Sequence, residues 1–235
     1  MVENNLTVFR TELKYLIDLP DRLHLINCLD RLLVPDAYGG YDGYQVRSVY
    51  FDSFGNQDYI EKMEKFAFVK RVRLRVYDIH SDIAKFEIKR KKSGRQIKDS
   101  LIVTREEANQ MLQGNFEVLK NYEGITAELG YDICTTMGYR PVSMVEYKRR
   151  VYTHPFFSTR ITLDSDLKYC NFDYDLFEEN PNYKKVMPLT DTILEVKYAR
   201  YLFPQLQEVL EHCDLKKCPV SKFASSRELL EAYYY

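Results

Sequence analysis

The sequence has no tryptophan; it also has no paired CxxC and almost no net charge, and these last two absences each close off a class of protein. With 34 Lys and Arg against 35 Asp and Glu, the formal net charge is −1. The overall basicity of a nucleic-acid binder is therefore missing, and any basic site must be local. The five cysteines, Cys28, Cys134, Cys170, Cys213 and Cys218, are odd in number and scattered. They do not read as a disulfide framework or a zinc site, and reduced thiols are expected. No apolar stretch approaches the roughly 20 residues that cross a bilayer. The opening MVENNLTVFR has no basic segment followed by an apolar run, so it does not read as a signal peptide. A soluble, cytoplasmic chain is expected. No Gly-rich loop leads into a helix, which removes a P-loop nucleotide site. His24, His80, His154 and His212 occur singly, with no nucleophile or ligand pattern beside them.

What is present, in 235 residues with 45% hydrophobic and 29% charged side chains, fits one domain spanning residues 1–235. LTVFRTELKYLI alternates as a strand, with Arg10, Glu12 and Lys14 on one face. Asp18 and Pro20 then open a helix with Leu23, Ile26, Leu29 and Leu33 at helical spacing, ended by Pro35. YQVRSVYFDS, FVKRVRLRVYD, IAKFEIKRK and QIKDSLIV read as strands, the last two joined by a turn at Ser93 and Gly94. TREEANQML carries a capping box, and more helix follows, broken near Gly124. RPVSMVEYKRRVY, FFSTRITLD and TILEVKYAR return to strand character. A polar, aromatic stretch at 173–189 reads as a loop, and two helical segments close the chain.

The strands share a peculiarity. Side chains on a strand point to opposite faces in turn. In FVKRVRLRVYD this puts Arg71, Arg73 and Arg75 opposite Val72, Leu74 and Val76. Glu87, Lys89 and Lys91 oppose Phe86 and Ile88; Arg160, Thr162 and Asp164 oppose Ile161 and Leu163; Glu195 and Lys197 oppose Leu194, Val196 and Tyr198. An ordinary wet sheet face accounts for any one such strand. Five strands with mostly basic charged faces suggest instead an inside-out barrel with its apolar side covered by helices. Bases crowded in a cavity repel one another and lose water, so the arrangement suits a polyanion. Glu12, Glu87 and Glu195 each sit two residues from a base on the same face. That spacing suits either a divalent cation shared with phosphate oxygens or a plain salt bridge.

Eight segments in order, RTELKY, SVYFDS, VRLRVYD, FEIKRKKSGRQIKDS, EYKRRVY, TRITLD, ILEVKY and VSKF, resemble the catalytic domain of the vacuolar transporter chaperone (VTC) family. These are polyphosphate polymerases of the CYTH, or triphosphate tunnel metalloenzyme, superfamily, and the resemblance runs from about Arg10 to Phe223. It implies an α+β fold: a closed antiparallel eight-stranded tunnel barrel with a basic interior and helices packed outside. It also implies phosphate-handling roles for Lys14, Arg73, Arg75, Lys89, Lys98, Arg149, Arg160, Lys197 and Lys222. Substrate contacts are expected from Tyr147, Ser221, Arg10, Arg71 and Lys91, and Mn²⁺ or Mg²⁺ binding from Glu195, with Glu12 and Glu87 as further metal carboxylates. Eukaryotic members also carry an inositol-phosphate sensing domain and a membrane domain, for which this chain lacks the length. A separate membrane partner is therefore the expected route to a membrane.

The implied substrates are ATP and polyphosphate or triphosphate, not nucleic acid, and the implied reaction is γ-phosphate transfer onto a growing chain. Hydrolytic relatives in the superfamily usually begin ExExK, whereas this chain reads Arg10-Thr11-Glu12-Leu13-Lys14, with a base where one metal carboxylate is expected. A triphosphatase must orient or deprotonate water, and the scarcity of acids on the charged faces leans toward transfer onto phosphate. A triphosphatase and a noncatalytic polyphosphate-binding module stand as the alternatives; the latter has no use for Glu195.

Overall fold

A computed structural model describes residues 11–92, 95–218 and 220–231. Arg10 and the Ser93–Gly94 turn lie outside them. The chain is α+β with a large antiparallel sheet. In order its elements are β1 (Thr11–Ile17), α1 (Leu19–Leu32), β2 (Val34–Pro35), β3 (Tyr44–Asp52), α2 (Gln57–Met63), β4 (Phe68–Val76), β5 (Ile83–Lys92) and β6 (Arg95–Thr104). There follow α3 (Arg105–Leu112), a 3₁₀ turn at Glu117–Asn121, α4 (Ile125–Thr136), β7 (Arg140–Thr153), β8 (Arg160–Cys170), β9 (Lys184–Lys185), β10 (Thr192–Tyr198), α5 (Pro204–Glu211), β11 (Lys216–Lys217) and α6 (Lys222–Glu231).

The helix boundaries follow from capping. Asp18 accepts the Asp21 N–H at 3.0 Å to start α1, with proline in the first turn. Thr104 and Glu107 exchange the reciprocal bonds of a capping box to start α3. Gly124, at φ 107°, separates the 3₁₀ turn from α4. One expected strand is shorter at its start: β8 begins at Arg160, not at Phe156. His154 Nδ1 accepts the N–H groups of Phe156 and Phe157, each at 3.1 Å, so those amides close a local turn and do not join the sheet.

The chain folds into two compact units. The first takes residues up to Tyr44 with Lys148–Asp166 and Met187–Val220; the second takes Gln45–Tyr147, Leu167–Val186 and the residues from Ser221. Long β7 and β8 contribute residues to both.

In the first unit β10 lies between β1 and β8, and β11 flanks β1. Ile17, Ile161, Leu163, Leu194 and Val196 form one apolar face, packed on Leu25 and Leu29 of α1 and Leu206 and Leu210 of α5. In the second unit β4 pairs with β3 and β5, and β5 with β6. Val72, Leu74, Val76, Phe86 and Ile88 pack beneath Ala108 and Met111 of α3, Leu119 of the 3₁₀ turn and Cys134 of α4. In both units helices cover the apolar side of the strands, as the alternation predicts, and the opposite side is left for the charged residues. The five cysteines are free thiols.

Candidate functional site

In the second unit the charged face centres on Glu87, which is 2% exposed. The register sets Arg73 directly opposite it. Arg73 donates to Glu87 Oε2 through Nε and Nη2, each at 2.7 Å. Lys98 from β6 reaches Oε1 at 3.0 Å, and Arg75 Nη1 stands 3.8 Å from Oε2. Burial alone would raise the Glu87 pKa, but Arg73, Arg75 and Lys98 outweigh it and bring it down to about 2. Arg73 is likewise held protonated despite its burial, by Tyr50 and Glu87.

Around this centre the sheet gathers further residues. Arg75 donates to Ser48 Oγ at 3.0 Å and to the Tyr147 hydroxyl at 3.2 Å. Lys222, the first residue of α6, holds its Nζ 4.7 Å from the centre of the Tyr147 ring. Ser221 precedes the helix, its Oγ accepting the Ala224 N–H at 3.4 Å. Register places Lys89 between Arg71 and Lys98. Arg71 keeps a buried Nε without a hydrogen-bond partner, and burial lowers its pKa. Lys91 is exposed toward the end of β5.

The first unit carries a second cluster. Glu12 and Lys197 stand opposite each other between β1 and β10, as do Lys14 and Glu195. Lys14 Nζ is 3.0 Å from Glu12 Oε1; Lys197 Nζ is 2.9 Å from Glu195 Oε1 and 3.6 Å from Glu12 Oε2. Burial opposes ionisation of Glu195, but Lys14, Lys197 and a hydrogen bond with Glu12 hold it well below the usual carboxylate range. Arg149 grips the buried Asp164 through two bonds of 2.7 Å. Gly43, at φ 76°, lets the chain pass against the Arg149 carbonyl where a Cβ would collide. Arg160, 47% exposed, lies 3.7 Å from Asp36.

Some of the expected residues within the described range gather in two clusters, whereas Arg149 and Arg160 pair with Asp164 and Asp36 and Lys91 stands exposed at the end of β5. Arg73, Arg75, Lys98, Glu87, Tyr147 and Lys222 come together in the second unit, with Lys89 and Arg71 flanking; Lys14, Lys197, Glu12 and Glu195 come together in the first. Tyr50 and Ser48, on the strand beside the arginines, have no role that the sequence alone would suggest. Only their register with Arg73 and Arg75 reveals them.

Among the described residues no group of three or more His, Cys, Asp or Glu could hold a metal by itself. Glu12 and Glu195, hard oxygen donors close enough to hydrogen bond, fit a Mg²⁺ or Mn²⁺ ion that takes its remaining ligands from phosphate and water. The oxygens of Glu12 are also met by lysines, but Glu87 is held by three cations, two of them arginines.

A family model described as the VTC domain matches residues 9–231. No curated protein matches in sequence. Among solved structures, a candidate adenylate cyclase of Bacillus halodurans is similar with TM-score 0.56 and 14% identity, covering 91% of this chain and 94% of its own. A candidate adenylyl cyclase of Hippeastrum, described as having a dominant triphosphatase activity, matches with TM-score 0.56 and 13% identity, covering 93% and 96%. A candidate adenylate cyclase of Vibrio parahaemolyticus gives TM-score 0.50 at 14% identity, covering 95% and 98%. At these identities the likeness is one of fold.

Proposed function

The chain belongs to the VTC domain family, and from that premise we propose that it is a metal-dependent polyphosphate polymerase, moving the γ-phosphate of ATP onto the end of a growing polyphosphate chain. The observation that carries the choice is the state of the acids. Glu87 is held by Arg73 and Lys98, Glu12 and Glu195 by lysines, and Asp164 by Arg149. Glu87 and Glu195, held by neighbouring cations well below the usual carboxylate range, are poor bases for water. A terminal phosphate is already ionised and needs no base.

In this reading residues 1–235 act as one catalytic domain, and the charged strand faces line the basic tunnel of a closed eight-stranded barrel. What supports the tunnel is family membership together with the repeated face parity. Arg73 and Arg75 hold phosphate oxygens with planar, forked donors, while Lys14, Lys89, Lys98, Lys197 and Lys222 add mobile positive charge. Phosphoryl transfer asks mainly for such neutralisation and in-line positioning. Mn²⁺ or Mg²⁺ held by Glu195 and Glu12 would supply the remaining positive charge on the nucleotide phosphates. No helix among the described residues is long and apolar enough to cross a membrane. A cytoplasmic site of action, with any membrane attachment supplied by a separate partner, completes the proposal.

The test is product analysis. With ATP and Mn²⁺ the protein should release ADP and accumulate phosphate chains, and short chains added as primer should shorten any lag. The second reading, a triphosphatase, draws on the closeness of Glu12 and Glu195, between which a cation could orient water. It replaces the first if all released phosphate is monomeric even with primer and tripolyphosphate is consumed faster than ATP.

A further inference from the structure

Tyr50 belongs to none of these roles, yet β3 places it directly opposite Arg73. Its ring is 5% exposed and packs on Phe223 of α6 at 5.2 Å. The Arg73 guanidinium lies 5.8 Å from the ring centre, and its Nη1 donates to the Tyr50 hydroxyl at 3.2 Å. The same guanidinium spends its Nε and Nη2 on Glu87. The phenol is thus the second group that fixes Arg73. It also differs in kind from the charged groups nearby: cations only donate and carboxylates only accept, whereas a phenol does either.

We propose that Tyr50 is a positioning residue of the phosphate site, whose hydroxyl accepts from Arg73 without ligand and donates to a phosphate oxygen when a triphosphate binds. The inference rests on the phosphate-binding reading of the Arg73–Arg75 face.

The electrostatics agree with the geometry. Burial raises the phenol pKa, but Arg73, Arg75 and Lys222 outweigh it and bring it to about 8. The groups around it are Arg71, Arg73 and Arg75 from β4, with Glu87 beyond Arg73 on β5, Tyr147 from β7, and Lys222 with Phe223 from α6. A bound polyanion removes the advantage of a phenolate. The oxygen then takes one proton from solvent, phenolate becoming phenol, and no other bond changes. Binding should therefore take up a proton above about pH 8 and weaken as the pH rises past that value.

The probe is inorganic tripolyphosphate, titrated by calorimetry into the whole chain and into Tyr50→Phe, from about pH 7 to about pH 10. The wild-type Kd should rise by up to about tenfold per pH unit above about 8, with proton uptake read from two buffers of different ionisation enthalpy. Tyr50→Phe keeps the ring on Phe223; it should bind about tenfold more weakly at pH 7 and lose the slope. Independently, the phenolate absorbance of the wild type should contain one tyrosine titrating near pH 8, missing in the variant and shifted upward by tripolyphosphate. An unchanged Kd and slope in Tyr50→Phe would overturn the inference while leaving the phosphate site standing. Absence of tripolyphosphate binding by the wild type would overturn both.

Discussion

In the second unit one carboxylate, Glu87, sits among Arg73, Arg75 and Lys98. In the first, two carboxylates, Glu12 and Glu195, share two lysines, Lys14 and Lys197. The first arrangement leaves a surplus of positive charge and the second leaves none. A basic cluster can take an anion directly, with its single acid serving to hold the bases in place. A neutral cluster attracts phosphate only after something adds charge, and two neighbouring carboxylates are the natural seat for a divalent cation. Under the proposed function, the difference would give phosphate grip to one cluster and metal-dependent chemistry to the other. Exchanging one acid at a time should break the comparison if it is wrong.

The largest effect is expected from Glu195→Gln. The amide keeps the shape and loses the charge that holds the cation, so metal-dependent turnover should fall by about 100-fold or more. Tripolyphosphate binding measured without metal should be nearly unchanged, because the Arg73 cluster is untouched. Equal loss of metal dependence in Glu195→Gln and Glu87→Gln would erase the distinction between the clusters.

Glu87→Gln should act on stability. It removes the carboxylate that three cations share in a buried place, where breaking a pair costs about 3–5 kcal/mol. Denaturant unfolding should show that loss, and added tripolyphosphate should restore part of it by replacing the missing anion. The pH dependence has a definite sign. The folded pKa of Glu87 is lowered from 4.5 to about 2, so its contribution is fully present above about pH 4.5 and is lost as the pH falls toward 2. The gap in Tm between wild type and Glu87→Gln should close over that window.

Much of this contrast could be read from the chain before any coordinates. Period-two alternation put the arginines of β4 on one side and Val72, Leu74 and Val76 on the other, because parity is a local property of a strand. What alternation could not supply was which strand lies beside which. Tyr50 and Ser48 stayed unassigned because their importance comes from lying opposite Arg73 and Arg75. Lys70 shares the parity of Val72, yet it is buried, its Nζ 2.8 Å from Asp58 on α2. A charged residue on an apolar face is explained only by its tertiary partner. The same limit hid the grip of Arg149 on Asp164, since the two are 15 positions apart on neighbouring strands.

Arg75→Ala sharpens the comparison from the side of binding. Arg75 is 6% exposed, so a charge-assisted contact made there escapes most solvent screening and is worth about 1.5–3 kcal/mol. The Kd for metal-free tripolyphosphate should rise about 10- to 100-fold. Lys14→Ala, in the neutral cluster, should change that Kd little and show its effect only when Mn²⁺ is present. A metal-free loss in Lys14→Ala equal to that in Arg75→Ala would mean that both clusters grip the anion directly.

The smallest effect is expected at Arg160. Its guanidinium is 47% exposed and its partner Asp36 stands at 3.7 Å, too far for a strong hydrogen bond. An ion pair of that kind contributes roughly 0–1 kcal/mol and is screened by salt. Arg160→Ala should therefore leave the unfolding free energy within about 0.5 kcal/mol of wild type. It should weaken tripolyphosphate severalfold at low salt and hardly at all at high salt, whereas the loss in Arg75→Ala should persist as salt is added. If the two variants respond to salt alike, burial does not separate the arginines. The division of labour would then have to rest on charge count alone.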